Sequence, residues 1–371
     1  MERHCSVSFP VGRTWKPMFV DRGLINYDDL VTKHWPEFGS NGKGDISIAD
    51  VMRHAGGVPF VVDPNNPNGT VTITPKDVVG DGLEQLICKA KRFPPSSTPQ
   101  LCYHAHTRGW IVNGILRRVD PIGRSLGRFL KEEITDPLSK VCDSGEVKFF
   151  CGIPKEDQPN LTFAGINQGS RLYNATALII PALAGFGDRV LAETSKVLLR
   201  KDVRRPVVSW IKSPFSSFGY FDSPECRSME YPSAGMFANA RSMALVNATA
   251  MAGDGSFDGV RLLSPKGVSN SMGDIVTRID SAMDISYGLS RGGYGSFKDV
   301  DVGSYHYRLS HPDDKAAYVG LMGWGGIGGS LSLVDRERDI SFAYCMNAFG
   351  LSMLGGNRTR RILLELQKAI V

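Results

Sequence analysis

The sequence predicts an α+β fold, with helices and an antiparallel sheet segregated along the chain. Three observations carry this. Helix-period stretches and loops fill roughly the first two-thirds of the 371 residues. Short strand-like runs crowd into residues 304–347, and an amphipathic helix closes the chain. Strict alternation of strand and helix would point to α/β instead.

The elements follow in order. Ser47, three residues before Asp50, has capping-box spacing and predicts a helix over 45–52. Gly56, Gly57 and Pro59 then break it. Trp110, Ile111, Gly114, Ile115 and Val119 recur at helical spacing. Residues 125–134 place Leu126, Phe129, Leu130 and Ile134 on one side, and Pro137 is expected to end that helix. Residues 175–180 and 192–200 read as helices, 206–232 as a Pro- and Ser-rich connection, and 233–253 as one Ala- and Met-rich helix. Residues 304–310, 318–324, 330–334 and 340–347 read as short strands, with a charged hairpin turn over 335–339. The closing helix, 359–370, carries Ile362, Leu363, Leu366 and Ile370 as its apolar face.

Composition narrows the function. Lys and Arg number 43 against 38 Asp and Glu, a net charge of +5. That is too small an excess for a basic nucleic-acid tail. The basic cluster Arg200, Lys201, Arg204 and Arg205 reads as a solvated helix end. Hydrophobic residues at 42% and charged residues at 22% are ordinary for a globular protein. Glu2, Arg3, Arg13, Lys16, Asp21 and Arg22 leave no room for the apolar core of a signal peptide. The longest uncharged run, 316–334, is rich in glycine and makes a poor membrane helix. These features predict a soluble, cytoplasmic chain with no membrane or nucleic-acid partner. The 7 cysteines are scattered. None forms a CxxC pair or a Cys/His cluster, so no disulfide framework, zinc site or other metal site is expected. No cofactor is indicated. The N-x-[ST] sequons at Asn68, Asn160, Asn174, Asn247 and Asn357 read as chance matches.

Four motifs in order resemble serine β-lactamase-related proteins of the class C and esterase type. The first is VDRGLINYDDLVTKHWPEFGSNGKGDISIADVMRHAGGVP, residues 20–59. The second is Tyr103-His104-Ala105 followed by Gly109-Trp110 and Arg117-Arg118-Val119. The third is Pro232-Ser233-Ala234-Gly235 with Asp258-Gly259-Val260-Arg261-Leu262-Leu263-Ser264. The fourth is Trp324-Gly325-Gly326-Ile327-Gly328-Gly329-Ser330. The resemblance implies a β-lactamase/transpeptidase-like fold in one domain, residues 1–371. Its mainly helical lobe would span 24–255, its sheet lobe with the C-terminal helix 300–371, and 1–22 would be an atypical remnant of the nucleophile helix.

It also implies a chemistry: acyl transfer to a serine in Ser-x-x-Lys at a helix N-terminus. The lysine, one turn on, takes the hydroxyl proton, and a loop tyrosine shares it. A Lys-x-Gly or His-x-Gly strand lends backbone to the oxyanion hole. On this chain Tyr103 falls at the tyrosine, and Trp324, Gly325 and Gly326 fall on the oxyanion strand. Ser6 falls at the nucleophile and Phe9 at the lysine. Phe9 has neither lone pair nor charge, so activation of Ser6 is expected to fail. Ser209-Trp210-Ile211-Lys212 is in the wrong order for the family. His104 and His106 have no metal-ligand spacing and read as loop histidines. Two functions remain: an impaired hydrolase acting on a small-molecule ester or amide, or a non-catalytic binding or scaffold protein of the same fold.

Overall fold

The computed structural model describes residues 5–7, 16–63, 66–71, 73–79, 82–143, 145–161, 163, 220, 223–233, 235–281, 286–297, 317–326, 329–346 and 356–370. Phe9 and the segments 175–180, 192–200 and 304–310 lie outside them.

The elements that frame the site are β1 (Cys5–Val7), α1 (Lys16–Asp21), α2 (Ile48–Met52), α3 (Thr107–Val119), α4 (Leu126–Leu130) and α5 (Asp136–Val141). Then come β2 (Phe149–Cys151), β3 (Met236–Ala238), α6 (Ala240–Asn247) and α7 (Pro265–Met272). The last part holds β4 (Val276–Ile279), β5 (Ser286–Leu289), β6 (Gly295–Ser296), β7 (Met322–Gly325), β8 (Leu331–Asp335), β9 (Ile340–Tyr344) and α8 (Gly356–Ala369). Strands β4 to β9 form an antiparallel meander in the order β9-β8-β7-β6-β5-β4, and β3 lies between β1 and β2 in a smaller sheet. The fold is the expected α+β arrangement. The large sheet begins at Val276, ahead of the boundary expected at residue 300.

Local rules set several elements. The Ser47 hydroxyl accepts from the Asp50 N–H at 3.1 Å, and the Asp50 carboxylate accepts from the Ser47 N–H at 3.1 Å, completing the capping box of α2. At the β8–β9 hairpin the Asp335 carboxylate accepts from the N–H groups of Glu337 and Arg338 at 3.0 and 3.2 Å.

Three expectations are corrected. Pro137 does not end its helix. A wider π turn, Lys131–Thr135, precedes it and carries the chain into α5, with Pro137 in the first turn where a missing N–H is tolerated. Residues 233–253 are not one helix. Met236–Ala238 is a buried strand, and α6 starts after Asn239, whose side chain accepts from the Ser242 N–H at 2.7 Å. On α8 the row turned inward is Thr359, Leu363 and Leu366, while Ile362 is 42% exposed.

Alternation along β8 divides the core. Leu331 and Leu333 join Leu363 of α8 in one apolar cluster, and Val334 joins Met243, Val246 and Ala250 in the other. On the Val334 face, buried Asn247 of α6 hydrogen-bonds Ser332. Among the described residues no helix is long and apolar enough to cross a membrane.

Candidate active site

Tyr103 lies on the loop between residues 101 and 106, just before α3. Three attachments hold this loop. The Leu101 carbonyl accepts from the Ser281 N–H at 2.9 Å, which ties the loop to the end of β4. The Cys102 N–H donates to the His54 carbonyl at 3.0 Å. The His104 N–H donates to His54 Nδ1 at 3.0 Å. Tyr103 is thus bracketed on both sides by the turn that follows α2.

The two loop histidines are used as fasteners. His104 Nε2 accepts from the Val58 N–H at 3.0 Å, so the neutral ring carries its proton on Nδ1, toward the Cys102 carbonyl. Burial pushes its pKa down to about 3, which keeps it in that form. His106 Nδ1 pairs with the Tyr231 hydroxyl, and Tyr231 stacks on Trp110 with centroids 4.8 Å apart. Ser233 Oγ accepts from the Gly109 N–H at 3.1 Å and donates to the His106 carbonyl at 2.9 Å. A Cβ on Gly109 would lie 2.5 Å from that oxygen, so only glycine lets the two segments meet.

The C-terminal end of β7 completes the site. Trp324 lies parallel to Tyr103, with ring centroids 6.4 Å apart. Tyr287 meets Trp324 edge-on at 5.6 Å and donates its hydroxyl to buried Asp280 at 2.5 Å. Gly325 ends β7, and the Gly326 N–H donates to the Ser330 carbonyl at 2.9 Å. The structure therefore brings Tyr103 and Trp324 together, with Gly325 next in the strand.

Ser6 is placed differently from expectation. The resemblance put it at a helix N-terminus, but its backbone is extended in β1 and pairs with Phe237 of β3. The sequence between explains this. Gly12 and Pro10 disfavour a continuous helix from Ser6, and the described helix α1 spans Lys16–Asp21 with Pro17 in its first turn. Strand β3 follows the Tyr231–Ser233 segment directly, so β1 is joined to a strand that leads out of the Tyr103 neighbourhood.

Two participants were missed in the sequence. His54 lies inside the 20–59 motif with no role assigned from sequence, yet its ring packs on Tyr103 at 4.6 Å and faces Trp324 at 6.3 Å. Arg108, on the first turn of α3, is 5% exposed, and its guanidinium donates to the Met52 carbonyl at 3.3 Å. No carboxylate pairs with it among the described residues. Burial pushes its pKa down to about 10, and nearby Tyr103 and Tyr287 act the other way. The signal for Arg108 was present: a cation within a helix start whose neighbours Gly109 and Trp110 are core residues.

A cavity of about 360 Å³ opens elsewhere, lined in part by Asp21, Asp29, Lys33, Lys266 and Asn270. Neither Tyr103 nor Trp324 lines it, and the chemistry argues for the Tyr103 site instead. Among the described residues no group of three or more His, Cys, Asp or Glu side chains is placed to hold a metal. Cys88, Cys102, Cys142, Cys151, Cys226 and Cys345 are not joined in disulfides.

Known proteins share this framework. The chain is 25% identical over 331 residues to the esterase/beta-lactamase LipL of Mycobacterium tuberculosis (strain ATCC 25618 / H37Rv). That alignment covers 88% of this chain and 64% of the relative, so the chain spans less than two thirds of the relative's length. The structure resembles a family VIII carboxylesterase, with a TM-score of 0.73 at 20% identity, over 100% of this chain and 84% of that one. It also resembles a penicillin-binding protein homologue from Caulobacter crescentus, with a TM-score of 0.70 at 22% identity and the same coverage. A family model described as Beta-lactamase matches residues 17–367. Because that model spans nearly the whole chain, the chain belongs to the Beta-lactamase family.

Proposed function

We propose that this chain is a serine hydrolase-type protein for small esters or amides, impaired in acyl transfer because Phe9 stands at the lysine of Ser-x-x-Lys. The observation that carries the reading is the Tyr103–Trp324 pair, held beside the glycines that end β7. A tyrosine fixed there can pass a proton between a serine hydroxyl and a leaving group, and the glycines let substrate approach the strand backbone. The names of the relatives, esterase and carboxylesterase among them, support the substrate class. In the full reaction the serine oxygen bonds to the carbonyl carbon, the alcohol or amine leaves with a proton, and water then frees the acid. Phe9 can neither accept the hydroxyl proton nor stabilise the alkoxide. Losing one member of a catalytic unit costs orders of magnitude in rate.

A second reading, a non-catalytic binding or scaffold protein, is favoured by the extended backbone at Ser6. Treatment with a fluorophosphonate probe and with a β-lactam separates the two. The hydrolase reading expects slow labelling at Ser6, lost in Ser6→Ala and accelerated in Phe9→Lys. Absence of labelling in both the parent and Phe9→Lys sinks that reading and leaves the second. Labelling of the parent as fast as an intact relative sinks the claim of impairment.

A further inference from the structure

Helix α2 ends in a motif that usually demands glycine. The His54 N–H donates to the Val51 carbonyl at 3.2 Å, and the Ala55 N–H donates to the Asp50 carbonyl at 2.7 Å. This is the paired closure of a Schellman cap, and it places His54 at the position that takes left-handed backbone. His54 has φ +60°, a left-handed conformation uncommon outside glycine, though His, like Asn and Asp, enters it more readily than most residues. Ala55, Gly56 and Gly57 follow, and the cap position itself carries histidine where glycine is the usual choice.

What the side chain does accounts for that choice. Nδ1 of His54 accepts from the His104 N–H at 3.0 Å. The carbonyl of the same residue accepts from the Cys102 N–H at 3.0 Å. The imidazole covers the Tyr103 ring, with centroids 4.6 Å apart. One residue therefore grips both peptide neighbours of Tyr103 and packs on the ring between them. The carbonyl contact needs only the backbone turn. The Nδ1 contact and the ring contact need the imidazole, unprotonated at Nδ1.

We infer that His54 is a positioning residue, retained at a glycine-type cap to fix the orientation of Tyr103 for proton transfer. The value of that orientation rests on the acyl-transfer reading above; the contact itself does not. The test uses the full chain with fluorotyrosine incorporated and its residue-103 resonance assigned by Tyr103→Phe. His54→Gly suits the left-handed cap and keeps the carbonyl but removes the imidazole. His54→Asn tolerates the same φ and offers its Oδ1 as an acceptor near the place of Nδ1. We expect His54→Gly to unfold at the same or higher urea concentration than the parent while its Tyr103 fluorine resonance moves away from the parent position. His54→Asn should bring that resonance back toward the parent. An unmoved resonance in His54→Gly, even with the imidazole gone from the Tyr103 ring, overturns the inference. A resonance displaced equally in both variants overturns it too, because the restored acceptor would then have no effect. None of these readouts needs turnover. An unreactive chain whose resonance moves as expected therefore defeats only the hydrolase reading.

Discussion

Trp324 lies almost parallel to Tyr103, its ring plane inclined by 17° and its centroid 6.4 Å away. Gly295 of β6, paired with Gly323, has no side chain to contest the space the indole occupies. A Cβ there would sit 2.7 Å from Trp324 Cε3 and 2.7 Å from the Gly323 carbonyl oxygen. Gly295→Ala must therefore push the indole or part the strands. Overpacking of this kind costs about 1–3 kcal/mol. We expect a urea midpoint shifted down accordingly, and a changed near-UV circular dichroism signal from the displaced indole. An alanine variant with unaltered near-UV signal would show that Trp324 does not depend on Gly295.

Arg108 is a buried cation with a carbonyl partner, Met52, and no carboxylate partner among the described residues. A charge taken from water without an opposite charge lowers stability, so an apolar replacement of similar length is tolerated or favourable. We expect Arg108→Met to keep or raise the unfolding free energy. In Arg108→Glu a carboxylate occupies the same enclosed place with only a carbonyl beside it, and a loss of about 3 kcal/mol or more is expected. Chemical denaturation of the two variants decides this. A strongly destabilised methionine variant would mean that the guanidinium has a compensating role in the native state.

Asp120 and Arg124 close the loop between α3 and α4. The carboxylate side chain is fully buried and accepts from the guanidinium at 2.9 Å and from the Arg124 N–H at 2.7 Å. Burial alone would raise the carboxyl pKa, but the hydrogen bonds and charge of Arg124 outweigh it and hold the group below its ordinary value. The sign follows from that direction. Folding favours the ionised carboxylate, so its stabilisation is present above the unfolded value of about 3.9 and is lost as pH falls through the lower folded value. Asp120→Asn should cost about 1–3 kcal/mol at neutral pH, since Arg124 keeps Glu132 and Glu133 as partners. The gap between variant and parent should narrow as acid unfolding is approached. A gap that stays constant down the acid limb would show that ionisation of Asp120 is not what stabilises the loop.

What the sequence disclosed depended on how local the cause was. The Ser47–Asp50 cap and the Asp335 turn each lie within a few residues, and both were legible. The strand over 330–334 was legible from its short apolar run beside a charged turn, whereas its burial on both faces depends on distant helices. Strand β6 is only two residues long, Gly295–Ser296, too short for any period. Residues 236–238 read as helix because Met, Phe and Ala carry no strand pattern; the partners that make them a strand lie far away in β1 and β2. The same reasoning separates the site residues. Tyr103 and Trp324 stood out through the motifs around them. The role of His54 depends on a backbone N–H at residue 104, and nothing within the 45–59 segment announces it.

Lys43 supplies a test of burial against pH. Its side chain is wholly inaccessible, and its ammonium donates to the carbonyls of Ser40 at 2.6 Å, Cys88 at 3.1 Å and Ala90. These bonds join the turn after Phe38 to the end of the helix Gly82–Lys89. Burial pushes the ammonium pKa down to about 8. An unfolded lysine titrates near 10.4, so between those two values the unfolded chain keeps a proton that the folded protein has released. Stability linked to Lys43 therefore rises with pH across that window, the reverse of an exposed salt-bridged lysine. Below about 8 both states are protonated and the linkage is flat. Lys43→Met removes the donor from all three carbonyls and should cost about 3 kcal/mol at neutral pH. It should also abolish the alkaline rise. Urea unfolding of parent and variant at a series of pH values reads both effects, and a variant that keeps the rise would assign it to another group.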